Sequence, residues 1–117
     1  MRGRNIHWGA WALAIAFLSA ALSWWGVHWR PSLTDYPVQG VDVSEAQGEI
    51  AWPTVEAAGA DFAYIKATEG ADISDPRFTE NWDGAEKAGM RRGAYHFFSL
   101  CRSAAEQATN FISIVPR

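Results

Sequence analysis

No acidic residue occurs in positions 1–32, although Arg2, Arg4 and Arg30 lie there. Cysteine is almost absent. Cys101 stands alone, so no disulfide can form within the chain. It reads as a small, partly buried hydrophobe; a thiol nucleophile would need an activating base, and only His96 is close in sequence. No glycine-rich loop follows the first β-branched run, only Gly48, which leaves a nucleotide site with little support. No Cys/His cluster has metal spacing, and Asp72 with Asp75 in "GADISDP" reads as turn and cap chemistry instead of a calcium loop. Beyond position 32 basic residues are few, 7 against 13 acidic, a formal charge of −6. Phosphate binding needs clustered Lys and Arg, so nucleic acid is not the expected partner.

What the amino terminus does contain is a long apolar run. Trp8 to Trp29 are 22 residues without formal charge at neutral His, enough for a helix to cross a hydrocarbon core of about 30 Å. Arg2 and Arg4 precede it, and five of the seven tryptophans (Trp8, Trp11, Trp24, Trp25, Trp29) cluster at its ends. Positive-inside bias and an interfacial aromatic belt predict a membrane anchor over residues 1–30, with everything after Pro31 outside the cytoplasm. A cleaved signal peptide is the alternative, with an apolar region at Ala12–Leu22 and small residues Ser19 and Ala21 near its end. A buried core helix would need neither the arginines nor the tryptophans. Residues 31–37, "PSLTDYP", read as a linker.

From 38 onward strands and helices alternate. Val38–Val43 reads as a strand, Trp52–Ala58 as a short helix with Pro53 in its first turn and Gly59 past its end, and Asp61–Thr68 as a second strand. Strict alternation puts Phe62, Tyr64, Lys66 and Thr68 on one face and Ala63, Ile65 and Ala67 on the other. A helix is expected from Pro76 to Ala88 with Asp75 as N-cap and Gly89 as stop, then a strand at Arg92–Phe98. Ser103 to Glu106 is a capping-box pattern opening a last helix. The order β-α-β-α-β-α implies an α/β fold of parallel strands, either an open sheet or part of a barrel. Only 80 residues follow the linker, and a closed barrel needs roughly 200, so the expectation is three β-α units at the front of a larger domain.

In such folds reactive groups collect where strands give way to the following loops. Asp42 sits at such an end, set within "GVDVS". Glu69, Lys66, Tyr95 and Phe97 sit at others. An acid in a β-branched strand is costly unless it faces a cleft or has a partner; Asp42 opens into a groove, caps the loop, or pairs with Lys66. Two carboxylates, Asp42 and Glu69, beside Tyr64, Tyr95, Phe97 and Trp52 are what glycosidic cleavage asks for. The competing reading of Glu69 is an ion pair with Lys66. His96, between aromatics, reads as a hydrogen-bonded core histidine.

The segments "GVDVSEAQGEIAW" (40–52), "FAYIKATEG" (62–70), "DPRFTENWDGAEKAGMRRGAYHFF" (75–98) and "EQATNFISIVP" (106–116) resemble, in order and spacing, the opening half of glycoside hydrolase family 25, the Chalaropsis-type lysozymes. The resemblance implies a partial irregular TIM-like (β/α) barrel over 38–117, cleavage of the β-1,4 bond after N-acetylmuramic acid in peptidoglycan, and no cofactor or metal. It matches Asp42 to the family's first-strand active-site aspartate, and Glu69, Tyr64, Lys66 and Tyr95 to positions that line or support the cleft. It also implies a proton-donating glutamate in an Asp-x-Glu motif on the fourth strand. No Asp-x-Glu occurs in these 117 residues, so the sequence is expected to be a truncated, inactive portion of a lysozyme.

Overall fold

The computed structural model describes residues 5–117, with side chains from Trp8 onward. Arg2 and Arg4, the basic flank of the expected anchor, lie outside the described residues. The chain divides between Asp35 and Tyr36 into two units.

The first unit is helix α1, Asn5–His28. Leu, Ala, Ile and Phe occur on every side of it, so no face calls for a protein partner. Within Trp8–His28 an 18-residue window reaches a mean hydropathy of 1.6, and none of that window is buried. Length and composition suffice to cross a membrane. Near the end of α1, His28 Nδ1 donates to the Trp24 carbonyl at 2.8 Å and its ring stacks on Trp24.

The second unit is mixed α/β. In chain order it runs β1 (Gly40–Val43), a 3-10 turn (Glu45–Gln47), α2 (Trp52–Ala57), β2 (Phe62–Glu69), β3 (Ile73–Ser74), α3 (Phe78–Lys87), β4 (Arg91–Phe97) and α4 (Ala104–Ile114). β1 and β4 pair in parallel with opposite edges of β2, while the two-residue β3 pairs antiparallel with the end of β2. Gly59 and Gly89, both at positive φ, stop α2 and α3 where expected. The capping box of α4 is closed on both sides: Glu106 N donates to Ser103 Oγ, and Ser103 N to Glu106 Oε2. The Ser103 hydroxyl, donating to Glu106 Oε2 at 2.9 Å, and then Ser103 N hold the Glu106 carboxyl below its ordinary pKa.

Three local expectations need correction. β3 is a hairpin strand too short to carry a period. α3 starts at Phe78, two residues later than Pro76, because the Asp75 side chain accepts from Arg77 N in a tight turn, leaving Arg77 as the cap. Third, β2 does not alternate strictly. Lys66 pairs with Tyr95 but Thr68 pairs with His96, so Ala67 is an extra residue in β2. Such a bulge resets the period of two. Thr68 therefore turns to the helix side, where it is fully buried, and Glu69 emerges on the face of Lys66. The extra carbonyl is not stranded, since Asp75 N donates to Ala67 O at 2.9 Å.

The core lies between the sheet and its helices. Val43, Ala63, Ile65 and Ala67 point from the strands toward Trp52 of α2, Phe78 and Ala85 of α3, and Met90. Arg92 ties β4 to α3 by donating to the Trp82 carbonyl, pairing with Glu86 at 2.6 Å and lying over the Trp82 ring. Trp52 rests directly on Gly84: a Cβ there would fall 2.3 Å from the indole. In an open helix Gly→Ala gains about 1 kcal/mol. Here overpacking, costing about 1–3 kcal/mol, wins. Gly84→Ala is expected to lower the thermal midpoint by several degrees, read by circular dichroism; a rise would mean the ring swings aside freely.

Candidate active site

The face of the sheet opposite the helices carries the polar and aromatic residues. Across the three parallel strands Asp42, Tyr64 and Gly93 form one row, with Lys66 and Tyr95 in the next and Glu69 beside Phe97 at the end. Asp42 is exposed on this face, whereas Val43 beside it is buried under the helices. The acid thus leaves the strand on the side away from the apolar layer. Its charge needs no buried counterion there.

Glycines make room for the rings. A Cβ on Gly93 would lie 2.7 Å from the Tyr64 ring, and one on Gly40 would lie 2.4 Å from that of Phe62. Each ring consequently occupies space over a neighbouring strand, and the two meet edge to face at 5.7 Å. With Val38 and Arg91 they line an open hollow of about 310 Å³ at the beginning of the strands.

At the strand ends the charges gather. Lys66 Nζ lies 2.5 Å from Glu69 Oε2, an i, i+3 contact that a regular strand forbids and the bulge at Ala67 permits. The Lys66 side chain is only 14% exposed. Its hydrogen bond to Glu69 is the main cause raising its pKa, with Asp75 and Tyr95 adding to it against the opposing effect of burial. Lys66 is therefore a fixed cation, lying also 5.2 Å from the centre of the Phe97 ring. Burial chiefly, then the nearby charge of Asp42, raises the Tyr95 phenol above its ordinary pKa. At neutral pH Tyr95 is a hydrogen-bond donor.

Other residues lie elsewhere than the sequence suggested. Trp52 is 5% exposed in the core and cannot be a platform for a ligand on the open face. Cys101 is exposed instead of partly buried. His96 lies on the helix side of β4. Its Nε2 meets Gln107 Oε1 at 3.0 Å and its Nδ1 meets Thr68 Oγ1 at 2.8 Å. Gln107 is held with its amide nitrogen toward the Ser99 and Arg102 carbonyls and its oxygen toward Ser99 N. That oxygen must accept, so His96 Nε2 carries hydrogen. The histidine is a satisfied link between β2, β4 and α4.

Sequence reasoning missed Asp75 as a member of the charged group. It is 6% exposed and bonded through both carboxylate oxygens. Its position next to Pro76 reads as a helix start, and only the hairpin formed by β2 and β3 carries it back to the ends of β1 and β2.

Comparison with known proteins gives this arrangement relatives. Lysozyme M1 of Streptomyces globisporus is 58% identical over 60 residues, which are 51% of this chain and 20% of that protein. The N,O-diacetylmuramidase of Chalaropsis sp is 41% identical over 80 residues, covering 65% of this chain and 38% of that one. The solved family 25 glycosyl hydrolase from Bacillus anthracis superposes with a TM-score of 0.67 at 48% identity, covering 68% of this chain and 37% of that structure. The chain thus spans roughly a fifth to two fifths of the length of these relatives. The model of the glycosyl hydrolases family 25 matches residues 41–117, and the chain belongs to that family of glycoside hydrolases.

Proposed function

We propose that residues 38–117 are the amino-terminal part of a catalytic domain that cleaves the β-1,4 bond between N-acetylmuramic acid and N-acetylglucosamine in peptidoglycan. The observation that carries this reading is the exposed carboxylate of Asp42, on the open sheet face with Tyr64, Lys66, Glu69, Tyr95 and Phe97. A glycan laid across the strand ends would meet the Asp42 carboxylate at its reacting centre, the Tyr95 hydroxyl as a donor, and the Tyr64 and Phe97 rings as apolar surfaces. In this reading the three parallel strands are consecutive staves of an irregular barrel.

Glu69, paired with Lys66, orients the ammonium, and delivery of the proton to the departing oxygen falls to another group. The family resemblance gives that task to an Asp-x-Glu glutamate absent from these 117 residues. Losing a general acid costs about 10²–10⁴ in rate. A second reading, supported by the Lys66–Glu69 pair, is that this chain alone retains glycan without cutting it. Residues 1–30 serve as a membrane anchor or uncleaved signal peptide and 31–37 as a linker, so the domain faces the cell wall outside the cytoplasmic membrane.

The test is sedimentation of the full chain, kept soluble in mild detergent, with purified peptidoglycan, together with an assay of new reducing ends. Co-sedimentation with reducing ends near background is expected. A chain that stays wholly in the supernatant would refute both readings.

A further inference from the structure

The turn that follows Asp42 has every backbone amide accounted for. Ser44 N donates to Gln47 Oε1, Ala46 N to Ser44 Oγ, Gln47 N to Ser44 O and Gly48 N to Glu45 O. All four bonds are made inside the turn and can move with it. The fifth amide is different. Glu45 N donates to Asp75 Oδ2 at 2.9 Å across 30 residues of sequence. The other oxygen, Asp75 Oδ1, accepts from Arg77 N, and Asp75 N donates to the bulge carbonyl of Ala67, both at 2.9 Å. One buried residue therefore joins the turn after Asp42, the bulge that brings Glu69 to the open face, and the start of α3.

We propose that Asp75 is a positioning residue of the glycan site, fixing the turn behind Asp42 relative to Lys66 and Glu69. This inference rests on the reading of the open face as a glycan cleft. Charge-assisted bonds to backbone amides are among the stronger ones in a protein, and a site held loosely loses binding without losing any contact residue. The Asp75 charge also reaches the cleft electrostatically, contributing to the raised pKa of both Lys66 and Tyr95.

Asp75→Asn tests this with little change of shape. The amide can still accept from Arg77 N, but the atom facing Glu45 N is then an NH₂ group, which cannot accept. Hydrogen exchange of the full chain in detergent, followed on Glu45, is expected to speed up about tenfold or more. Binding to purified peptidoglycan, corrected for folded fraction by circular dichroism, is expected to weaken about tenfold. The Tyr95 phenol, followed by carbon NMR of labelled tyrosine, should ionise at lower pH once the Asp75 charge is gone. Unchanged exchange at Glu45, or unchanged glycan binding while the wild type binds, overturns the inference and spares the reading of the site. A wild-type chain that binds no peptidoglycan removes the reading and this inference together.

Discussion

Asp42→Asn, in a domain that also carries the Asp-x-Glu strand of the family, is expected to slow peptidoglycan clearing by about 10²–10⁴, the usual contribution of a positioned catalytic carboxylate. Stability should hardly change. Asp42 is exposed on the open sheet face, its side chain makes no hydrogen bond among the described residues, and Asn has the same shape. On the proposed reading the carboxylate's loss is felt in the chemistry and hardly in folding, which separates the two readouts. Turbidity loss of a cell-wall suspension and thermal unfolding, measured on the same preparation, check both halves. Wild-type clearing by the Asn variant removes Asp42 from the mechanism. A collapse of the unfolding midpoint would mean that the side chain braces the strand.

The second large effect comes from a deletion. Removing Ala67 takes out the extra residue and leaves Thr68 and Glu69 on the faces they already occupy, because Lys66, Thr68 and Glu69 then follow one another opposite Tyr95, His96 and Phe97. What is lost is a fully buried core side chain and the carbonyl that accepts from Asp75 N at 2.9 Å. An unsatisfied buried N–H costs about 1–3 kcal/mol. The deletion variant is expected to unfold several degrees below wild type by circular dichroism and to be retained more weakly on peptidoglycan. An unchanged unfolding midpoint would show that another carbonyl takes over the bond from Asp75.

These two residues also show how much of the molecule could be read from the chain alone. Asp42 was legible. A carboxylate between Val41 and Val43 has to leave a β-branched strand on the side away from its neighbours, and burial of Val43 with exposure of Asp42 follows from that period. The helix ends at Gly59 and Gly89 and the capping box at Ser103 were equally plain, since each rests on chemistry within four residues.

The bulge at Ala67 was not legible. "FAYIKATEG" contains no glycine or proline within the strand to mark it, and the extra residue is fixed by the carbonyl finding Asp75 N and by Thr68 finding His96. Both partners are remote in sequence, so a local period cannot register them. The same cause hid Asp75 itself, whose decisive bond to Glu45 spans 30 residues. Trp52 was misjudged for a related reason. An aromatic beside a proline at a helix start is ambiguous until Gly84, from another helix, is seen to vacate the space its ring occupies.

The neighbour relations of the parallel strands hold one more implication. β1, β2 and β4 lie side by side in the order in which they occur in the chain, and no later strand has to wedge between two earlier ones. Growth of the sheet is vectorial: each unit emerging from a ribosome or a translocation pore can dock on the free border left by its predecessor. A chain delivered from its amino end meets no topological obstacle, because assembly can start with the first strand and advance in one direction.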